Sequence, residues 1–381
     1  GVNVTNSTSG TIDITGNVTG NNYVSLSNKN ATLPQGQTGI TNTGVITSET
    51  GSASVTASSG DIKISDTSGK GTVNAAQDAT VSSTNGIVSI DGAVNAGRDT
   101  TINSDTGKVV IGMSGVTSQD TDVSGGRNVK ITTANDNTDS DIYIYGNVTG
   151  QQNVDMSTHK GNIFIIGNVK AVDGGVAMEN TVSGHIIKGG TIESNNANVY
   201  VHVNDGNFIN GNDITSNTGS VIIVTNKGSI DVGGNIDAKT NVEMEAQNGI
   251  NTDGHVVAGE SIVQTVTGDG TIVNGNGIQA GADLTEVIQG KGDLHVNNSL
   301  KVGQDMNLIA NNGSVTLDLP GTSDIGGNMY VTAINGDANI NGYMGLGGDG
   351  VIRTENGNVN FNGTLTDPND TSSITLEAKN G

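Results

Sequence analysis

The sequence predicts an all-β fold: a parallel β-solenoid of about 22 residues and three short strands per coil, with roughly 16 coils over 381 residues. Three observations predict it. Glycines recur at 161, 184, 206, 228, 249, 270, 292, 313, 336 and 357, at spacings of 21 to 23 residues. Short stretches between them alternate apolar and polar residues with period two, which suits a strand and not a helix. Valine and isoleucine far outnumber the 11 leucines, and β-branched side chains favour extended chain.

Each element of the coil has its own signature. The residue two after the periodic glycine is apolar in nine of ten cases, Asn251 being the exception, and opens the first stretch, as in Gly228-Ser-Ile-Asp-Val232. Asn or Asp precedes the glycine in six of the ten (Asp205, Asn248, Asp269, Asn312, Asn335, Asn356), and these pairs mark tight corners. A second stretch follows another glycine, as in Gly234-Asn-Ile-Asp-Ala238, Gly167-Asn-Val-Lys-Ala171 and Gly16-Asn-Val-Thr-Gly20. The third often begins Gly-x-Asp, as in Gly97-Arg-Asp-Thr-Thr-Ile102 and Gly303-Gln-Asp-Met-Asn-Leu308. One coil buries almost nothing alone. Stacked coils pair their backbones and align like residues, and the Asn-Gly corners are candidates for side-chain amide ladders. At about 4.8 Å per coil, roughly 16 coils would extend about 75–80 Å.

Residues 1–381 read as a single array. Gly60, Gly86 and Gly107 continue the series less evenly. The 54 residues between Gly107 and Gly161 exceed two coils by about ten, a surplus expected as a loop over about 117–141. Residues 27–43, with Pro34, form a second irregular segment. The chain opens with Gly1, has no signal peptide, and stops at Asn380-Gly381 where another coil is expected, so it reads as a segment of a longer shaft.

Composition excludes several classes. Lys plus Arg number 16 against 38 Asp plus Glu, a net charge of −22, which argues against nucleic acid or an anionic membrane as partner. No run of about 18 apolar residues offers a transmembrane helix, so no membrane insertion is expected from this segment. Glycine lacks a Gly-X-Y period and proline numbers only 3, which excludes collagen. There is no cysteine, so no disulfide staples the fold.

Asn95-Ala-Gly-Arg-Asp-Thr-Thr-Ile102, Val302-Gly-Gln-Asp-Met-Asn-Leu308 and Ala75-Ala-Gln-Asp-Ala-Thr-Val81, together with the Gly-Asn-Val-x-Ala and Asn-Gly stretches, resemble the repeats of filamentous-haemagglutinin-like large exoproteins. The resemblance implies a right-handed β-helix, in keeping with the right-handed preference of parallel crossovers. It also implies export by two-partner secretion or an autotransporter route, and an extracellular or bacterial cell-surface location. The implied role is adhesion or biofilm formation, with a host or bacterial surface receptor or polysaccharide as partner. The Asn-Pro-Asn motifs of that family's secretion domain are absent from this sequence.

No catalytic or cofactor-binding residue is assigned. The five histidines, His159, His185, His202, His255 and His295, fall at different registers of their coils, which does not suit zinc. Asn135, Asn137, Asp139 and Asp141 alternate along the expected loop, with Asp136 among them and Asp120 and Asp122 upstream. Hard oxygen ligands so spaced are calcium candidates. The EF-hand glycine and glutamate are missing, and Gly347-Gly-Asp-Gly350 is only a fragment of the nonapeptide calcium repeat; the alternative is a solvated acidic loop. Polysaccharide-cleaving β-helices need clustered carboxylates and commonly aromatic platforms. Here Arg98, Arg127 and Arg353 are well separated, and Tyr143 with Tyr145 is the one local aromatic pair. The expected function is therefore the non-enzymatic shaft of an adhesin or extracellular filament. The alternatives are a matrix or fibre protein that associates end to end, and a carbohydrate-binding or polysaccharide-cleaving β-helix.

Overall fold

The structure, a computed structural model, is all-β and helix-free, a parallel β-solenoid of right-handed type with about 16 turns of about 22 residues. It describes residues 1–34, 36–65, 71–112, 121–136, 140–367 and 372–381. The chain divides into two compact units, Gly1–Asn196 and Ala197–Gly381.

In the first unit each turn has three strands, on what we call faces 1, 2 and 3. A representative turn runs Val154–Lys160, Ile163–Ile165 and Val169–Ala171. Within the unit, strands pair in parallel with their counterparts one turn on, as Ile163↔Ile186 and Val169↔Ile192. Alternation sends two or three residues per strand inward. Val154, Met156 and Thr158 point in from face 1, Ile163 and Ile165 from face 2, Val169 and Ala171 from face 3. Each buried Val or Ile contributes roughly 1.5–3 kcal/mol, and a core only three strands wide has room for little else. The second inward position of face 3 is small throughout this unit (Gly20, Ser48, Ala75, Ala96, Gly125, Gly150, Ala171, Ser194), because the chain turns there. A methyl group on Gly150 would strike the carbonyl of Asn153. That explains the Gly-Asn-Val-x-Ala pattern.

Two strands fall inside the segment 117–141 that the sequence suggests as one loop. Val123–Gly125 and Val129–Thr133 occupy faces 3 and 1 of a regular turn, in register with Val94–Ala96 and Thr100–Ser104. The remaining residues lie on either side of these strands, and 113–120 and 137–139 among them are outside the described residues. Segment 27–43 likewise contains the end of strand Tyr23–Asn28 and all of Thr38–Thr43. Between them, Asn30 is tied to the next turn by the Ser59 hydroxyl, at 2.5 Å from its carbonyl.

The second unit begins with the same three-strand turn, as Val221–Thr225, Ser229–Val232 and Ile236–Ala238. Asn251, the exception to the apolar rule, is explained by register: Gly249 aligns with Ser229 and Thr271, so Asn248 takes the corner and Ile250 the core. From Val315 onward faces 2 and 3 fuse into single long strands, Val315–Ile325, Ala338–Leu346 and Val359–Thr366. This departs from three strands per coil. The Gly-Asn signature of the second corner is missing in these turns, and the second inward position of face 3, Val302 in the turn before, becomes Ile325 and Leu346. A register shift between Leu319 and Thr322 absorbs the bend.

Candidate functional site

Repetition is the chemistry of this molecule, and it is concentrated at the corners. At many of the corners a side-chain oxygen accepts the backbone N–H of the equivalent residue one turn on. In the first unit Asn147 Oδ1 accepts from Asn168 N at 2.8 Å, and Asn168 Oδ1 from Thr191 N at 2.9 Å. At another corner Asp99, Asn128 and Asn153 accept from Asn128, Asn153 and Gly175 at 3.1–3.3 Å. In the second unit Asp283, Asp305, Asn328 and Asp349 accept in succession from Asp305, Asn328, Asp349 and Ser373 at 2.7–3.1 Å. The backbone N–H and the hydroxyl of Ser373 hold the Asp349 carboxyl below its ordinary value. These bonds satisfy donors that the corner takes out of the sheet ladder. They account for the Gly-x-Asp and Gly-Asn motifs. The Asn-Gly corners carry a separate amide ladder, Asn380→Asn356→Asn335→Asn312, at 2.7–3.0 Å.

The calcium candidates are distributed as follows. Asp141 is buried and serves as a corner acceptor: Oδ1 takes the Asn162 N–H at 2.6 Å and its amide at 3.1 Å, while the Tyr143 hydroxyl donates to Oδ2 at 3.1 Å. Asn135 donates its amide to the Thr106 carbonyl at 2.7 Å. Asn137 and Asp139 lie outside the described residues. Asp136 faces His159 Nε2 at 3.0 Å. Among the described residues no group of three or more His, Asp or Glu side chains converges as a metal site. The histidines sit apart: His159 bonds Thr181 and Asp136, His202 bonds Asn226, and His255 bonds Asn276.

The ionisable groups that matter most to the core were not singled out from sequence. In the second unit Glu286, Gln264, Asn274 and Thr252 are all fully buried. Gln264 and Glu286 stand at the central inward position of face 1, between Met244 and Leu308 in register. Asn274 donates to Glu286 Oε1 at 2.9 Å and exchanges hydrogen bonds with Gln264 at 3.0 and 3.3 Å, while Thr252 donates to Asn274 Oδ1 at 2.9 Å. Glu286 Oε2 has no partner among the described residues. Burial pushes the Glu286 carboxyl up to about 8, the Asn274 hydrogen bond opposing, so the group is a neutral acid at pH 7. In the first unit Lys188 is 2 % exposed, occupies the inward position next to Ile165, and donates to the Gly167 carbonyl at a corner. Burial lowers its amine to about 7. The legible signal was a polar residue at an inward step of the alternation, as in Leu284-Thr-Glu-Val-Ile288 and Ile186-Ile-Lys188.

Comparison of the chain with protein-family models, with curated proteins and with solved structures returns no match, so the architecture and its corners stand as the basis for a functional reading.

Proposed function

We propose that the chain is the structural shaft of a secreted or surface-attached adhesin or extracellular filament. The observation that carries this reading is the corner acceptor repeated turn after turn, on top of parallel backbone pairing in each unit. Such a chain gains its stability from nearest-neighbour interfaces, and its length grows by adding turns rather than by enlarging a core. On this reading the chain performs no catalysis and holds a binding region away from the cell, toward a surface receptor or polysaccharide. The excess of acidic residues supports solubility and limits lateral association at low salt. The extracellular placement follows the likeness of its repeats to filamentous-haemagglutinin-like exoproteins.

Immunolabelling of intact cells that make the protein tests this, paired with attachment of cells lacking it. Labelling without permeabilisation and a several-fold loss of attachment are expected. Labelling only after lysis would overturn the reading.

A further inference from the structure

The outer surface of the first unit pairs its polar side chains from turn to turn. At the middle, outward position of face 3, Asn95 donates to Asn74 at 3.0 Å, Ser124 to Asn95 at 2.8 Å, and Lys170 to Glu193 at 3.0 Å. The same position in the second unit runs Gln279, Lys301, Asp324, Gly345 and Thr366 in register. Lys301 and Asp324 are exposed Cα partners of opposite charge on adjacent turns. They form neither an ion pair nor a hydrogen bond, and the Gln279 amide is unpaired as well, among the described residues.

Space separates these groups. A cavity of about 230 Å³ lies against Gln279, Lys301, Thr322 and Asp324. A second, of about 210 Å³, shares Thr322 and Asp324 and continues along Tyr343, Gly345 and Thr364. The two make one groove that follows the stacking direction. It lies where faces 2 and 3 fuse, beside the register shift between Leu319 and Thr322. Gly345 keeps it open: a methyl group there would come within 2.9 Å of Asp324 Oδ1. Tyr343 forms one wall and is 60 % exposed, the highest among the large apolar side chains described as exposed.

We infer that this groove binds a neutral oligosaccharide. An aromatic face beside hydrogen-bonding groups suits a sugar ring, with its apolar C–H face and its hydroxyl rim. Asp324 accepts from a pair of hydroxyls, Lys301 and Gln279 donate to hydroxyl oxygens, and the bonds to charged groups are the stronger ones. Within the groove the charges of Lys301 and Asp324 balance, while the chain as a whole carries −22, which repels polyanionic glycans. The site runs across successive turns, each rising about 4.8 Å, so it presents a row of contacts to a linear chain. This inference is independent of where the protein resides.

The test is calorimetric titration of the full chain with hexasaccharides of β-1,4-glucan, β-1,3-glucan, α-1,4-glucan and β-1,4-mannan, with hexagalacturonate as the acidic control. At least one neutral probe is expected to bind with Kd of about 1 mM or tighter. Tyr343→Ala and Asp324→Asn, both at exposed positions, are each expected to weaken it tenfold or more with unchanged circular dichroism. Binding of none of the neutral probes, binding of hexagalacturonate alone, or wild-type affinity in both variants would overturn the inference.

Discussion

The two units close the same corner differently. At the last inward position of face 1, the first unit uses side chains that bond the adjacent corner. Ser83 donates to the Gly60 carbonyl at 2.9 Å, Ser104 to Gly86 at 2.7 Å, Thr158 to Gly161 at 3.0 Å, and Asn180 to both Gly161 and Ser183. The second unit mostly places apolar residues there, Val203, Ala246, Val266 and Ile288. Among the polar residues at that position, Thr354 bonds its corner, at Gly357, as in the first unit, while Gln264 and Glu286 stand in the middle of the strand and are bonded by Asn274, itself held by Thr252. What decides the cost of a buried polar group in this fold is its distance from a corner. Lys188 obeys the same rule: its long stem carries the amine to the Gly167 carbonyl.

The largest expected effect is on pH dependence, which has opposite sign in the two units. Glu286 titrates near 8 folded and near its ordinary 4.5 unfolded. Its contribution is fully present below pH 4.5 and is lost as pH rises through 8, at up to about 1.4 kcal/mol per pH unit. Lys188 titrates near 7 folded and 10.5 unfolded. Its contribution is present above pH 10.5 and is lost as pH falls toward 7. Hydrogen exchange resolved by turn, which reads local stability without assuming one global transition, measures both. Protection around Glu286 is expected to fall between pH 5 and 8 once intrinsic exchange is corrected, and Glu286→Gln to flatten that fall. Lys188→Met is expected to remove the opposite trend around Lys188. Trends of the same sign in both units would break the comparison.

Next in size is Asn274→Leu, which strands Gln264 and Glu286 in the core. A loss of about 3 kcal/mol is expected in the surrounding turns, from buried groups left without partners. Asn274→Asp, keeping an acceptor for Thr252 and Gln264, separates lost volume from lost bonding; it is expected to lose less at pH 5 than at pH 8. Smaller still is Ser104→Ala in the first unit, which removes one bond to Gly86 O and one from Gly107 N. A cost of about 1 kcal/mol is expected, and local exchange protection that does not change would count against the corner rule. Arg98→Ala, which breaks the exposed pair with Asp78, is expected to cost less than about 1 kcal/mol.

Much of the solenoid was legible because its information is periodic. The corner glycine is dictated by the turn before it: a methyl group on Gly228 would overlap the carbonyl oxygen of Gly206. That constraint recurs in most turns and therefore shows as a spacing. Asn168 and Asp305 were visible as motifs, although their task, accepting an N–H from the next turn, is a matter of geometry. What escaped is what occurs once. The fusion of faces 2 and 3 after Val315 depends on a missing signature. Glu286 reads as a surface charge unless the inward register of Leu284 and Ile288 is already known. The strands at Val123–Gly125 and Val129–Thr133 were obscured because surplus residues on both sides disturbed the glycine count.

The central claim is that this is a mechanical element held together turn by turn, and single-molecule extension of the full chain tests it most directly. Peeling off one turn of about 22 residues releases roughly 70 Å of chain, from about 3.5 Å per extended residue less the rise of one turn. The account predicts successive releases of that size, as expected where each turn is held by its neighbours. One release spanning a whole unit, with no steps of that length, would contradict it.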